Sequence, residues 1–262
     1  MTQLLAIARN TFREAIRDRI LYGFLFFAVA LLLFSLVLGR LSFNEDLRVT
    51  IDVGLAGISL FSVLMSIFLG ITLLRKEIEK RTIFPVLAKP VSRPLYVLGK
   101  FLGLAGTMAV QIALMTGAFV ALLAIQGGAP GPGLAAALAL IFVETLVVIA
   151  MAMMFTSFSS PFLSGLFCLG LFASGRNAEL ISRLAEKESL GWMAPLLDGV
   201  TAVLPNLYLF YPSGKMVDGA WISVREQFVS SGYILHASGY GLLYAAALLA
   251  LSVLLISRRD FV

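Results

Sequence analysis

A chain of 262 residues with 60% hydrophobic and only 13% charged side chains, at a mean hydropathy of +0.96, lies far from a soluble domain of about 45–50% apolar and about 25% charged residues. This is the composition of an integral membrane protein, and its apolar runs leave no polar stretch of the ~100 residues that an appended catalytic domain needs. A single cysteine, Cys168, and a single histidine, His236, exclude a disulfide framework within the chain and a metal centre built from several thiolate or imidazole ligands. The net charge of +5 matters through its placement.

In chain order, residues 1–19 form an expected amphipathic helix at the membrane interface. Leu4, Leu5, Ala8, Phe12, Ala15 and Ile16 share one face and Arg9, Arg13, Glu14 and Arg17 the other, with Ile7 and Arg19 breaking the pattern. Six apolar segments follow as predicted spans, residues 20–39, 51–74, 101–125, 134–158, 161–175 and 233–256. The fifth, at 15 residues, reaches only about 22 Å, so it must continue beyond Gly175, thin the bilayer or be partly re-entrant. Residues 127–133 read as a compact turn. In the outer segment 176–232, Trp192, Met193, Leu196, Leu197, Val200, Val203, Leu204 and Leu207 recur at helical spacing, with Pro195 suited to a first turn and Pro205 to a stop. They predict a short helix on, or dipping into, the outer leaflet. The segments assigned inside carry thirteen basic residues against seven outside, five of those seven in the long outer loop, so both termini are expected in the cytoplasm.

The inner loop, residues 75–100, is the most informative stretch. It opens as a charged helix with Glu77 and Arg81 at i,i+4, Pro85 and Pro90 break it, and Ser92 with Pro94 can start the next helix. Its apolar residues Ile83, Phe84, Val86 and Leu87 among charges make a docking surface rather than a solvated basic loop. Glu77, Glu79, Thr82, Ile83 and Leu87, then Pro90-Val91-Ser92-Arg93 and Gly99-Lys100, resemble the loop of ABC-2 type permeases, the transmembrane subunits of one class of ABC exporter; Arg81 replaces a common glycine. The resemblance extends to the N-terminal helix, the spans, Pro205-Asn206 and the basic end Arg258-Arg259.

That resemblance implies an all-α, single-domain membrane subunit of six spans, with a cytoplasmic coupling helix and short re-entrant outer helices before the last span. It implies a bacterial or archaeal inner-membrane location and a second permease subunit, identical or similar. It also implies two copies of a separate ATPase, docked on Glu77, Glu79, Arg81, Thr82, Ile83, Phe84 and Leu87, that bind ATP and magnesium. No cofactor, metal or nucleic acid is expected on this chain. Gly99-Lys100 and Gly214-Lys215 lack the Ser/Thr and first glycine of a phosphate-cradling loop, which agrees with a separate ATPase.

Glu144 is the only ionisable side chain well inside a predicted span, where a charge costs about 2.5–3.5 kcal/mol on the insertion scale. Gln111, at comparable depth in the neighbouring span, is its expected partner. Glu144 then lines a substrate or water pathway, or it makes a structural hydrogen bond between helices. Ser62, Ser66 and Gly70, and Gly99, Gly103 and Thr107, allow close helix approach, chiefly within the subunit. Two other functions compete with an exporter: a scaffold or regulatory membrane subunit that still docks an ATPase, and an intramembrane serine protease pairing Ser164 or Ser238 with His236, which lacks the usual glycine because Phe162 occupies that position.

Overall fold

The computed structural model describes residues 2–41, 46–79, 92–128, 131–178, 204–210, 215–217, 220–222 and 231–258. Helices α1 (Thr2–Ile16), α2 (Arg19–Leu41), α3 (Asp46–Glu79), α4 (Arg93–Ile125), α5 (Pro132–Thr156), α6 (Pro161–Arg176) and α7 (Ser231–Arg258) are joined, before α7, by a 3-10 turn (Leu207–Phe210) and strands β1 (Lys215–Val217) and β2 (Ala220–Ile222). Each of the six predicted apolar segments lies on a helix, the fourth ending at Thr156 rather than at Phe158. By length and composition, Val49–Lys76, Arg93–Ile125, Gly133–Thr156 and Ser231–Ser257 can each cross a membrane among the described residues, and a fifth crossing is reached when Gln3–Ile16 and Arg19–Ser35, bent by 61°, count as one. α6 does not join them. Its 16 residues rise about 24 Å, short of a hydrocarbon core of about 30 Å. Asn177 is its C-cap, bonding Ala173 O through both its backbone N–H and its side-chain amide, Ala178 is again helical, and any continuation beyond it lies outside the described residues.

α5 is apolar on every side, as a helix surrounded by protein must be. Its residues from Val147 to Met153 are all buried, packed by α3, α4, α6 and α7. One apolar cluster joins α3, α5 and α7 through Leu69, Leu73, Val148, Met151, Ala245 and Leu249, and a second joins α2, α3 and α4 through Leu32, Leu55, Ile58, Met115 and Phe119. Outward, Phe26, Phe27 and Phe34 of α2, Phe162 and Leu166 of α6, and Leu235 and Leu243 of α7 are exposed, the side-chain chemistry a lipid surface takes.

α1 forms as expected, but it lies on α4 rather than only on an interface. The packing face contains Ile7, which the sequence pattern set aside, whereas Leu5 is exposed. A Cβ on Gly99 would lie 2.7 Å from Ile7, and one on Gly103 would lie 2.6 Å from the backbone oxygen of Ala8. The glycines are therefore a seat for α1, and Gly70 makes a similar approach to Ala152 of α5. Gly103→Leu is expected to displace α1, at the cost of about 1–3 kcal/mol typical of overpacking, and so to speed tryptic cleavage at Arg13 and Arg17. Gly117→Ala, with open space at that Cβ, should cleave as wild type, and an unchanged Gly103→Leu would refute the seat.

The ends of elements follow local chemistry. The Asp18 carboxylate accepts from Ile20 N at 3.1 Å, starting α2 after the bend. Ser92 stands extended at the start of α4 with Pro94 in the first turn, as predicted, though its hydroxyl makes no cap; Ser160 does cap α6, accepting from Leu163 N. α4 ends on Gly127 at φ +72°, with Gly127 N–H bonded to Ala124 O and Gly128 N–H to Leu123 O, the paired closure that needs a left-handed residue. Both ends of the inner loop are helical, because α3 continues to Glu79 and α4 begins at Arg93. The hairpin, with Met216 opposite Trp221, departs from an all-α chain; Asp218-Gly219 between the strands is a favoured two-residue hairpin sequence.

Candidate functional site

Glu144 lies midway along α5 and is fully buried. Its Oε1 accepts from Arg176 Nη1 at 3.0 Å, and its Oε2 accepts from Ser59 Oγ at 3.1 Å. The same Arg176 nitrogen also donates to Ser59 Oγ at 3.0 Å, closing a triangle over α3, α5 and α6. Counting from the α5–α6 turn explains the meeting. Twelve residues back from Thr156 to Glu144 rise about 18 Å, and the length of α6 rises about 24 Å, so the end of the short helix comes back to the depth of the acid. Arg176 is the last residue of α6, where the helix dipole favours a cation, and its guanidinium lies 5.5 Å from the ring centre of Phe172 one turn earlier. Its side chain keeps 24% exposure while that of Glu144 has none.

Gln111 is not the partner of Glu144. It is buried, donates to Met115 Sδ at 3.9 Å, and its Oε1 has no bond among the described residues. A likeness in depth along neighbouring helices does not fix which way a side chain faces, and the Gln111 amide is bonded within its own helix. Arg176 was missed because it follows the last apolar residue of the fifth segment and was counted with the outer loop. The shortness of that segment was the available signal.

Beside this cluster the chain re-enters the bundle. Pro205, Leu207 and Phe210 are buried; Pro205 O touches the position where Gly175, next to Arg176, would carry a Cβ. A Cβ on Gly241 of α7 would meet both Phe210 and Val143, the neighbour of Glu144. Asn206 N–H donates to Tyr240 Oη at 3.0 Å, and Tyr233 Oη donates to Leu209 O at 2.8 Å. Of the helix predicted from Trp192 to Leu207, residues 192–203 lie outside the described residues, and 204–210 form this wedge between α5, α6 and α7.

The end of the bundle that carries α1 holds a second polar region. Lys76 Nζ lies 3.3 Å from Asp18 Oδ2, and the two line an open depression of about 450 Å³ with Asn10, Arg13, Glu14 and Arg17. At 44% exposure of Lys76 this pair contributes at most about 1 kcal/mol. Arg93 reaches the end of α7, donating to Ser257 O at 2.6 Å. Of the predicted coupling residues, Glu77 and Glu79 belong to α3 by backbone, and their side chains lie outside the described residues, as do Arg81, Thr82, Ile83, Phe84 and Leu87 altogether.

A family model described as ABC-2 family transporter protein matches residues 5–173, from α1 into the last turn of α6. The chain belongs to the ABC-2 family of transporter proteins. The match takes in Ser59, Glu144, the seat of α1 on α4 and the whole inner loop, and it ends before Arg176. No curated protein matches the chain. The ABC-2 protein is thus a multi-pass membrane component of a transporter, a family whose membrane part is not catalytic alone. The serine protease alternative loses its ground as well: Ser164 is buried and its Oγ has no partner among the described residues, while His236 is exposed at the start of α7.

Proposed function

We propose that the ABC-2 protein is the permease subunit of an ATP-driven exporter. It forms the pathway as a dimer with an identical or similar chain, and the segment between α3 and α4 docks a separate ATPase, one copy per permease. The family match across the inner loop carries this reading. The basic residues of that loop and of both termini support a cytoplasmic α1 end. ATP and magnesium are held by the partner, so the work of this chain is to convert docking into motion of its helices. The short α6 and the inward 204–210 wedge support a re-entrant outer half, and the Glu144–Arg176–Ser59 cluster behind it gives that half a polar wall.

Orientation is testable directly. With Cys168 replaced, single cysteines at Glu79 and Lys187 are expected to react with impermeant reagents from opposite sides of sealed vesicles. Labelling of both from one side would defeat the reading. ATP-dependent flux through the reconstituted complex separates an exporter from a scaffold subunit.

A further inference from the structure

Arg93 begins α4, whose first turn contains no acidic residue, so a cation stands at the positive end of a helix dipole. Its side chain is turned to the opposite kind of helix end. Nη1 donates to Ser257 O at 2.6 Å and to Ile256 O at 3.4 Å, carbonyls of the last turn of α7 that the helix itself leaves without N–H partners. The charge is misplaced on its own helix and well placed on its neighbour. Both carbonyls meet the same guanidinium nitrogen, which a lysine ammonium replaces only as a point charge on a shorter stem.

α7 is in turn the wall against which the wedge rests. Tyr233 and Tyr240 hold Leu209 and Asn206, and Gly241 abuts Phe210 and Val143. A helix of 28 residues held at Ser257 by the start of α4 therefore links that start to the surroundings of Glu144 through one rigid element.

We propose that Arg93 is a positioning residue that tethers the coupling segment to the last span, so that displacement of that segment by the ATPase is transmitted to α7. The proposal rests on the reading that the segment between α3 and α4, which ends before Arg93, docks the ATPase. The tether is removed by Arg93→Gln and kept as a bare charge by Arg93→Lys.

The test uses the complex with its ATPase in proteoliposomes, in a Cys168→Ser background, with spin labels on cysteines at Leu254 and Ile125, both exposed. The distance between labels is measured without nucleotide and after trapping with ATP and vanadate. The unsubstituted tether should show a nucleotide-dependent shift. Arg93→Gln should lose that shift while complex recovery and basal hydrolysis stay at the level of the parent, and Arg93→Lys should recover part of it. A full shift in Arg93→Gln overturns the tether. Failure of the parent chain to recover the ATPase overturns instead the coupling reading, and the tether with it. Loss of complex recovery in Arg93→Gln but not in Arg93→Lys would make Arg93 a docking residue and also overturn the proposal.

Discussion

Replacing Phe84 and Leu87 together by serine is expected to abolish co-purification of the ATPase. Buried apolar anchors at an interface are each worth ~2 kcal/mol or more, so losing two weakens the complex by about 4 kcal/mol, roughly a thousandfold. Glu77, Glu79 and Arg81 would set register by charge complementarity, and single changes there should alter association rates more than recovery. The bundle should survive, because the flanking helices are held elsewhere: Leu73 and Leu74 in the core on one side, Tyr96 and Val97 on the other. Complex recovery and the hydrolysis rate of the partner decide the matter. Wild-type values for both would return this segment to an ordinary basic anchor.

Glu144→Ala and Arg176→Ala are each expected to destabilise the protein by about 3 kcal/mol, the low end for removing one partner of a buried ion pair because Arg176 retains some exposure. Glu144→Gln should cost nearly as much, since it removes the carboxylate that the Arg176 guanidinium meets at 3.0 Å. The double variant Glu144→Leu, Arg176→Leu should cost much less than the sum, because an apolar pair of similar size often replaces a buried ion pair at little cost. Thermal unfolding of the four chains in detergent gives the cycle, and additive losses would contradict the pairing. Transport separates the two roles of Glu144: a stable double variant that transports assigns the acid to structure, and a stable one that does not assigns it to the pathway.

What the sequence made legible was whatever a run or a period can record. Five long apolar runs gave helices at their places, and the lone acid in the fourth was recognisable because nothing else near it is charged. Its partner was not, because the fifth run stops at Gly175 and hydropathy does not say how deep the next residue sits. Ser59 escaped notice although Ser62 and Ser66 on the same helix were singled out for spacing. The α1 contact was written in two halves, an amphipathic face with Ala8 and a glycine row at Gly99 and Gly103, and only folding shows that they belong to each other and that Ile7 joins them. The hairpin escaped because strands of three residues are too short to display a period, although Asp218-Gly219 announced it.

The central claim, that this chain moves a cargo outward when a partner hydrolyses ATP, is tested most directly in inverted membrane vesicles containing the complex. Their lumenal contents are compared by mass spectrometry with and without ATP, beside vesicles in which the phosphate-binding lysine of the ATPase is changed. The account predicts that one class of compound accumulates in the lumen only with ATP and an intact ATPase, and that Phe84→Ser with Leu87→Ser removes the difference. Identical contents under all conditions, from a complex that forms and hydrolyses ATP, would contradict it.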